Sequence, residues 1–426
     1  MKYRSTRIDG PLDPLAAVTH LTESGLLTDY VVYERDRHWY LAANPLTEIR
    51  VDAEAVHTGD RATPWSGTPW EAIRSALRQT PVEHWTAYGW LAFELADEGR
   101  EGPLGHLIVP GVELTVTDTG ADVRTTDPGL QERLRKSLAE APRRAEPRAS
   151  KPVDVRAARD TYHAHVTHAV TEIGRGRLDK VILSRTVPVP FTVDMPATYV
   201  TGRLANTPAR SFLLDLGGIQ AAGFSPETVI EASGDGTAAT QPLAGTRALT
   251  GDPETDAALR AELCRDPKEV YEHATSVKLA VEELSTVGAP GATRVSEFLT
   301  VRPRGSVQHL ASRVTTDLAE GRTAWDALGA VFPPVTASGI PKRAAYRLIR
   351  ELEDEPRGLY AGAVLRAGAD GSLDAALVLR AVYQQGDRAW LRAGAGVVGA
   401  SRPAREYEET CEKFRSVAPY VVPKEG

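Results

Sequence analysis

The chain has 426 residues, 42% of them hydrophobic and 25% charged, with a formal net charge of -7. That length allows one large core or two average domains, and the acidic balance argues against a nucleic-acid binder, which presents a basic face. Two cysteines, Cys264 and Cys411, are too few for a disulfide framework and suit a reducing cytoplasm, and no signal-peptide core or apolar run near the ~20 residues of a membrane helix occurs.

Residues 1–137 read as an α+β segment with more strand than helix. Tyr30–Tyr33 and Trp39–Leu41 look like hairpin strands, as do Leu107–Val109 and Val112–Val116. A stretch rich in Pro, Arg, Ala and Glu over about 138–154 reads as an exposed connection. A helix is expected from about Ala157 to Gly174, with Tyr162, Val166, Ala169, Val170 and Ile173 on one face. The strand Val181–Leu183 follows, carrying Lys180 at its entrance, and then the strands Ser211–Asp215, Ala221–Phe224 and Thr228–Glu231. A long helix spans about 254–286, with a break at Asp266-Pro267. Near the end come the strands Leu359–Val364, Asp374–Ala381 and Ala389–Arg392, and a last helix over about Ala404–Val417. Consecutive hairpin-like strands favour antiparallel sheets over a doubly wound parallel one.

Several residues could carry chemistry. Glu269/Glu272 and Glu406/Glu409 are spaced to share a helix face, and two such faces together would offer oxygen ligands suited to Mg²⁺. A solvated helix surface is the commoner meaning of either pair alone. Glu227 lies between two short apolar strands, where partial desolvation would make its carboxyl group a proton donor at neutral pH. Lys180 heads an apolar strand, and a buried lysine can serve as a neutral base; a surface charge at a strand end is the simpler reading of both. The segments Leu243–Arg247 and Val335–Gly339 read as turns whose amides could approach an anion. The run Gly394–Gly399 matches a dinucleotide-binding fingerprint in letters and reads as a turn between a strand and a helix. Only 27 residues follow Gly399, too few for the rest of that unit, so nucleotide binding is not expected. His163, His165 and His168 have no zinc-site partner by spacing and receive no role.

In order from about 155 to 420 run Asp179–Arg185, Phe224–Glu227, Pro242–Arg247, Lys268–His273, Gly305–Leu310, Thr336–Lys342, Arg357–Gly362, Leu379–Ala381, the glycine run and Glu406–Thr410. Together these segments resemble the chorismate-utilising enzymes that make anthranilate, isochorismate, aminodeoxychorismate or salicylate. Lys180 stands where members that take ammonia carry glutamine, so the resemblance implies water as nucleophile. Ala244 stands where aminodeoxychorismate synthases carry lysine, so no lysine adduct is implied. The wording of Gly305–Leu310, Phe332–Lys342 and Glu408–Lys413 is most similar to the salicylate synthases of siderophore pathways, a subgroup that Thr336 and Leu379 also match and in which the resemblance implies that both bind substrate.

The resemblance implies one large α+β domain over 1–426, with two mainly antiparallel β-sheets packed as a core and helices outside. Residues 1–137 would complete the sheets and 155–420 would carry the motifs. It further implies that Lys180 is a neutral base on water and that Glu227 is the acid for the departing hydroxyl, with both groups pulled towards neutrality by burial. Glu272 and Glu409 would carry Mg²⁺, with Glu269 and Glu406 reaching it directly or through water. Tyr360 and Arg380 would hold the enolpyruvyl carboxylate, helped by Lys413 and the amides of Gly394 and Gly396. Gly245 and Thr246 would line the ring pocket and His309 would orient the ring substituents. The implied activity converts chorismate to isochorismate and then to salicylate and pyruvate. The alternatives are an enzyme that releases isochorismate, or a chorismate-binding homologue without turnover. A cytoplasmic monomer is expected, with no glutaminase subunit, nucleic acid or membrane as partner.

Overall fold

The computed structural model describes residues 1–97, 101–305 and 307–425, and in them ten α-helices and 21 β-strands. Every ladder between these strands is antiparallel, and shared strands link them into one continuous network. The α+β class and the antiparallel pairing therefore match the expectation, with the sheets joined rather than separate.

The long strand His38–Val51 shows why this sheet needs cover on both faces. Its side chains alternate between faces, and a register shift between Pro45 and Thr47 exchanges the two: Trp39, Leu41 and Ala43 enter one apolar cluster, while Ala42 and, beyond the shift, Ile49 and Val51 enter another. Helices Pro14–Glu23, Pro128–Glu140 and Met195–Ala205 close the first cluster; Trp70–Arg78, Ala324–Val331 and Lys342–Leu352 close part of the second. Among the described residues, no helix is long and apolar enough to cross a membrane.

The N-terminal segment is tied to the motif-bearing part by its strands. Tyr30–Arg35 pairs with Arg210–Leu216, and Thr86–Leu91 with Ala363–Gly368. One expectation fails here: Leu107–Val109 and Val112–Val116 are not two strands but one, Gly105–Thr117, paired along His38–Val51. Pro110-Gly111 does not turn. The missing side chain of Gly111 instead admits the carbonyl of Asn44, which would lie 2.7 Å from a Cβ there. Beyond Glu140 the chain is irregular up to the helix Arg159–Gly174, as expected of a connection. The predicted break at Asp266 is real: Pro253–Arg265 ends there, and Pro267–Ser285 begins with the Asp266 side chain accepting from the amides of Lys268 and Glu269.

Candidate active site

Lys180 opens the strand Lys180–Val189, which pairs along its length with Arg388–Val397. The glycine run is therefore strand as far as Val397, with Gly394 opposite Ser184 and Gly396 opposite Ile182, and only its end at Gly399 is the expected turn before the last helix. Close approach explains the glycines. A Cβ at Gly394 would lie 2.6 Å from the Leu183 carbonyl and 3.0 Å from the Tyr360 hydroxyl, and one at Gly396 would lie 3.3 Å from Lys180 Cε. Lys180 is buried, and its ammonium lies 2.6 Å from Glu272 Oε1. The base expected to be freed by burial is thus held in an ion pair with an expected metal ligand, an arrangement that keeps the Glu272 carboxyl low despite its own burial.

Glu227 sits in the link between strands Ile219–Ser225 and Thr228–Ala232. The Ser225 hydroxyl donates to its carbonyl at 2.9 Å, and the Leu377 amide donates to the same oxygen at 3.1 Å. Its carboxyl group is 3% exposed and burial pushes it up to about 8, against the weaker opposing effect of the Thr336 hydroxyl, which donates to Oε1 at 2.7 Å. A carboxylic acid that keeps its proton at neutral pH is what a donor to a departing hydroxyl requires.

The four glutamates lie on the helices Pro267–Ser285 and Pro403–Phe414. Glu272 is paired with Lys180, and Glu409 with Lys413 at 2.9 Å. Glu269 and Glu406 are pushed up, first by burial and next by the neighbouring glutamate of each pair. Lys268 acts on Glu269, Glu272 and Glu406, and Lys413 on Glu272 and Glu406, so the two helix faces share one electrostatic volume. Among the described residues, no three acidic, histidine or cysteine side chains meet closely enough to enclose a cation. The donor set nevertheless fits one: hard oxygen ligands, two of them raised by burial and then by a neighbouring carboxylate, are the partners a magnesium ion takes.

Six expected binding residues converge on one cavity: Thr336, Tyr360, Leu379, Arg380, Gly394 and Lys413 line it, beside Ile182 and Arg392. Arg380 reaches it through a backbone break. The expected single strand over 374–381 is two strands, Leu373–Leu377 and Ala381–Gln385, and Arg380 between them has a φ of 53°. A left-handed residue without a glycine is strained, and here it turns the chain where the cavity needs a guanidinium. Burial lowers Arg380 to about 10, and its recorded bond to a neighbour is a long one of 3.4 Å to Ser416 Oγ. Similarly, Leu359–Val364 is not all strand. Tyr360 lies in the turn before Ala363–Gly368 and is buried. Lys413 donates to the Gly394 carbonyl at 2.8 Å, so it braces the glycine strand as well as lining the cavity.

The expected turn at Leu243–Arg247 is a bulged strand, Leu243–Ala248, with Gly245 at φ 84°. Gly245 makes room for the helix Pro267–Ser285, because a Cβ would lie 3.2 Å from Glu269 Oε2. Next to it, the Thr246 hydroxyl bonds His309 Nδ1 at 2.9 Å. Burial, followed by Arg380 and Lys413, pushes His309 down to about 3. Its ring is neutral, and the buried Nε2 has no hydrogen-bond partner among the described residues. A neutral imidazole with one open nitrogen orients a ligand by hydrogen bonding rather than by charge. Ser306, within the motif around it, lies outside the described residues.

Residues that sequence reasoning left without a role lie behind this site: Ser184, Glu353, Arg357 and Arg392 form a buried network against the base strand. Only Ser184 and Arg357 lay within quoted motifs, and nothing in spacing connects either to Glu353 or Arg392.

Comparison with known proteins agrees with the geometry. Residues 28–419 match the family model described as chorismate binding enzyme. A salicylate synthase of Mycolicibacterium paratuberculosis is 40% identical, over 97% of this chain and 94% of that protein. The crystal structure of anthranilate synthase component I from Streptococcus pneumoniae is 26% identical with a TM-score of 0.75, covering 90% of this chain and 92% of that one. The menaquinone-specific isochorismate synthase of Escherichia coli shares the fold, with a TM-score of 0.76 at 22% identity over 98% of this chain and 94% of that one. With the family model matching nearly its whole length, this chain belongs to the chorismate-binding enzymes.

Proposed function

We propose that the protein is a salicylate synthase, a cytoplasmic monomer that converts chorismate to salicylate and pyruvate with Mg²⁺ and supplies siderophore synthesis. The single observation that carries the chemistry is a buried acid, Glu227, raised to about 8, in electrostatic reach of a buried amine, Lys180. The full-length likeness to a salicylate synthase supports the choice of product.

In this reading Lys180 takes a proton from a water that attacks C2 of chorismate. The ring double bonds shift and the C4 hydroxyl departs as water, with its proton from Glu227. An ammonium in contact with a carboxylate is a donor, so Lys180 serves as base only when Glu272 balances other charge. Arg380 and the Tyr360 hydroxyl take the enolpyruvyl carboxylate, since both line the cavity at the Gly394 end. His309 Nε2 bonds a ring substituent. Glu272 and Glu409, with Glu269 and Glu406 beside them, would hold the magnesium ion, whose charge would offset the ring carboxylate of a dianionic substrate. Loss of pyruvate then needs no further acid or base. The C2 hydrogen passes to the enolpyruvyl methylene as the C3–O bond breaks, and the site's part is to hold the arm folded over the ring.

Incubation of the purified protein with chorismate and Mg²⁺ should give salicylate and pyruvate in equal amounts. Isochorismate without pyruvate would instead identify a synthase that stops at the first product. Chelation should reduce turnover by ~100-fold or more, with recovery on adding Mg²⁺. Glu272→Gln and Glu409→Gln should each abolish the heat of Mg²⁺ binding in calorimetry. Thr336→Val removes a hydrogen bond that favours the Glu227 carboxylate, so the acid keeps its proton to higher pH. The alkaline limb of the kcat/KM profile should therefore move up, by about one pH unit; a profile unchanged in that limb would separate Thr336 from the acid.

A further inference from the structure

Against one wall of the cavity lies a charged cluster, Glu353, Arg357 and Arg392, of which only Arg392 is among the lining residues. Glu353 Oε1 accepts from the Ser184 amide at 2.7 Å, the Ser184 hydroxyl at 2.9 Å and Arg357 Nη2 at 2.7 Å. Its Oε2 accepts from Arg357 Nε at 2.9 Å and Arg392 Nη2 at 2.7 Å. All three side chains are 1–3% exposed. Arg357 also donates to the carbonyls of Ala337 at 2.8 Å and Ile182 at 2.6 Å. Arg392 donates to Ser184 Oγ at 2.9 Å, Pro356 at 2.7 Å and Glu355 at 3.1 Å. Both guanidinium groups then lie over one ring: their central carbons are 5.7 Å and 5.6 Å from the centroid of Tyr360.

We infer that Glu353, Arg357 and Arg392 form a strut that positions Tyr360, so that Arg392 sets recognition of the substrate's enolpyruvyl carboxylate through that ring rather than through hydrogen bonds of its own. The inference rests on the proposed reaction for the identity of that carboxylate. Four of the five N–H donors of Arg392 are engaged by protein, so its guanidinium has little left to offer a ligand. Its remaining handle is the phenol ring, and a cation over an aromatic face both attracts the ring and strengthens the hydroxyl as a donor. The same carboxylate that fixes Arg392 also ties down Ser184, on the strand of Lys180. Through Arg357 it reaches Ala337, next to the Thr336 that bonds Glu227. One anion thus indexes the carboxylate-binding end of the cavity against both the base and the acid. A buried triad of two cations and one anion is not the cheapest way to fill a core, which favours a positioning role over packing alone.

The test is a double-mutant cycle in the full chain with chorismate as substrate. Arg392→Met should raise KM about tenfold and leave kcat within about threefold, and in a Tyr360→Phe background it should change neither. Effects that multiply independently, or a loss of kcat and thermal stability at unchanged KM, would overturn the inference. Arg392→Lys, which keeps the charge and loses the fork, serves the same cycle if the methionine variant does not fold. A ligand-free crystal structure of the Arg392 variant should show the Tyr360 hydroxyl displaced by about 1 Å or more, and an unmoved ring would also sink the idea. If the wild type fails to turn over chorismate, the functional reading falls and this structural arm alone decides the role of the strut.

Discussion

Replacing Glu227 by glutamine should slow turnover of chorismate by ~10²–10⁴-fold and leave the protein folded. The amide keeps the shape of the carboxyl group and can still accept the Thr336 hydroxyl, but it has no acidic proton to give a departing hydroxyl. The same substitution has a second, opposite consequence. Glu227 is raised from the usual glutamate range to about 8 in the folded state, so below about 4.5 it is protonated whether the chain is folded or not. As pH rises from there through 8, the folded protein alone must retain its proton or bury a charge, and stability falls. Glutamine removes that slope. Urea denaturation at pH 5 and pH 8 should therefore show the variant losing less stability than the wild type over this interval. A variant that turns over chorismate at the wild-type rate would remove Glu227 from the mechanism.

The second large effect is expected at Lys180. Alanine there should reduce product formation by a similar ~10²–10⁴-fold. It also leaves Glu272 without the ammonium 2.6 Å from its Oε1. Glu272 is 24% exposed, so the loss of stability should fall below the ~3–5 kcal/mol of a fully buried broken pair. The useful sign is in metal affinity. In the wild type, the ammonium competes with a cation for Glu272; in Lys180→Ala that competitor is gone. Calorimetry should find Mg²⁺ bound more tightly by the variant than by the wild type, and thermal stability recovered in part as Mg²⁺ is added. Weaker binding by the variant would place the metal elsewhere.

The fold was legible where periodicity decides. The helix ending at Gly174, the break at Asp266 and the hairpin of Tyr30–Arg35 with His38–Val51 stand close to where the pattern of residues puts them. It was not legible at glycines, for which local sequence gives two meanings. Gly111, Gly245 and Gly394 all read as turns, and all three lie in strands: at Gly111 and Gly394 a carbonyl approaches too closely for a Cβ, and Gly245 takes a φ of 84° at a bulge. The site was legible mainly as a set. Neither pair of glutamates, nor Lys180, nor Glu227 stands out alone, because a charged residue at a strand end or on a helix face is ordinarily solvated. Their collinear order with a known family identified them. What that order left out was how they are supported: the Lys180–Glu272 contact joins residues 92 positions apart, and Glu353 joins segments from Ser184 to Arg392. Such long-range pairings leave no local trace.

The glycines of the strand Arg388–Val397 also limit how this site can change by mutation. Gly394 and Gly396 border the carboxylate-binding and base ends of the site, and a methyl group at the first would press on the Leu183 carbonyl and the Tyr360 hydroxyl. At Gly394 the limit is set by backbone and closes the position to single substitutions, while at Gly396 a Cβ would meet the ends of the Lys180 and Ile182 side chains. Variation in substrate choice is expected instead at Thr336 and Leu379, whose side chains line the same cavity as Gly394. A library that randomises those two positions should yield altered substrate preference far more often than one that randomises the glycines, whose members should mostly fail to fold.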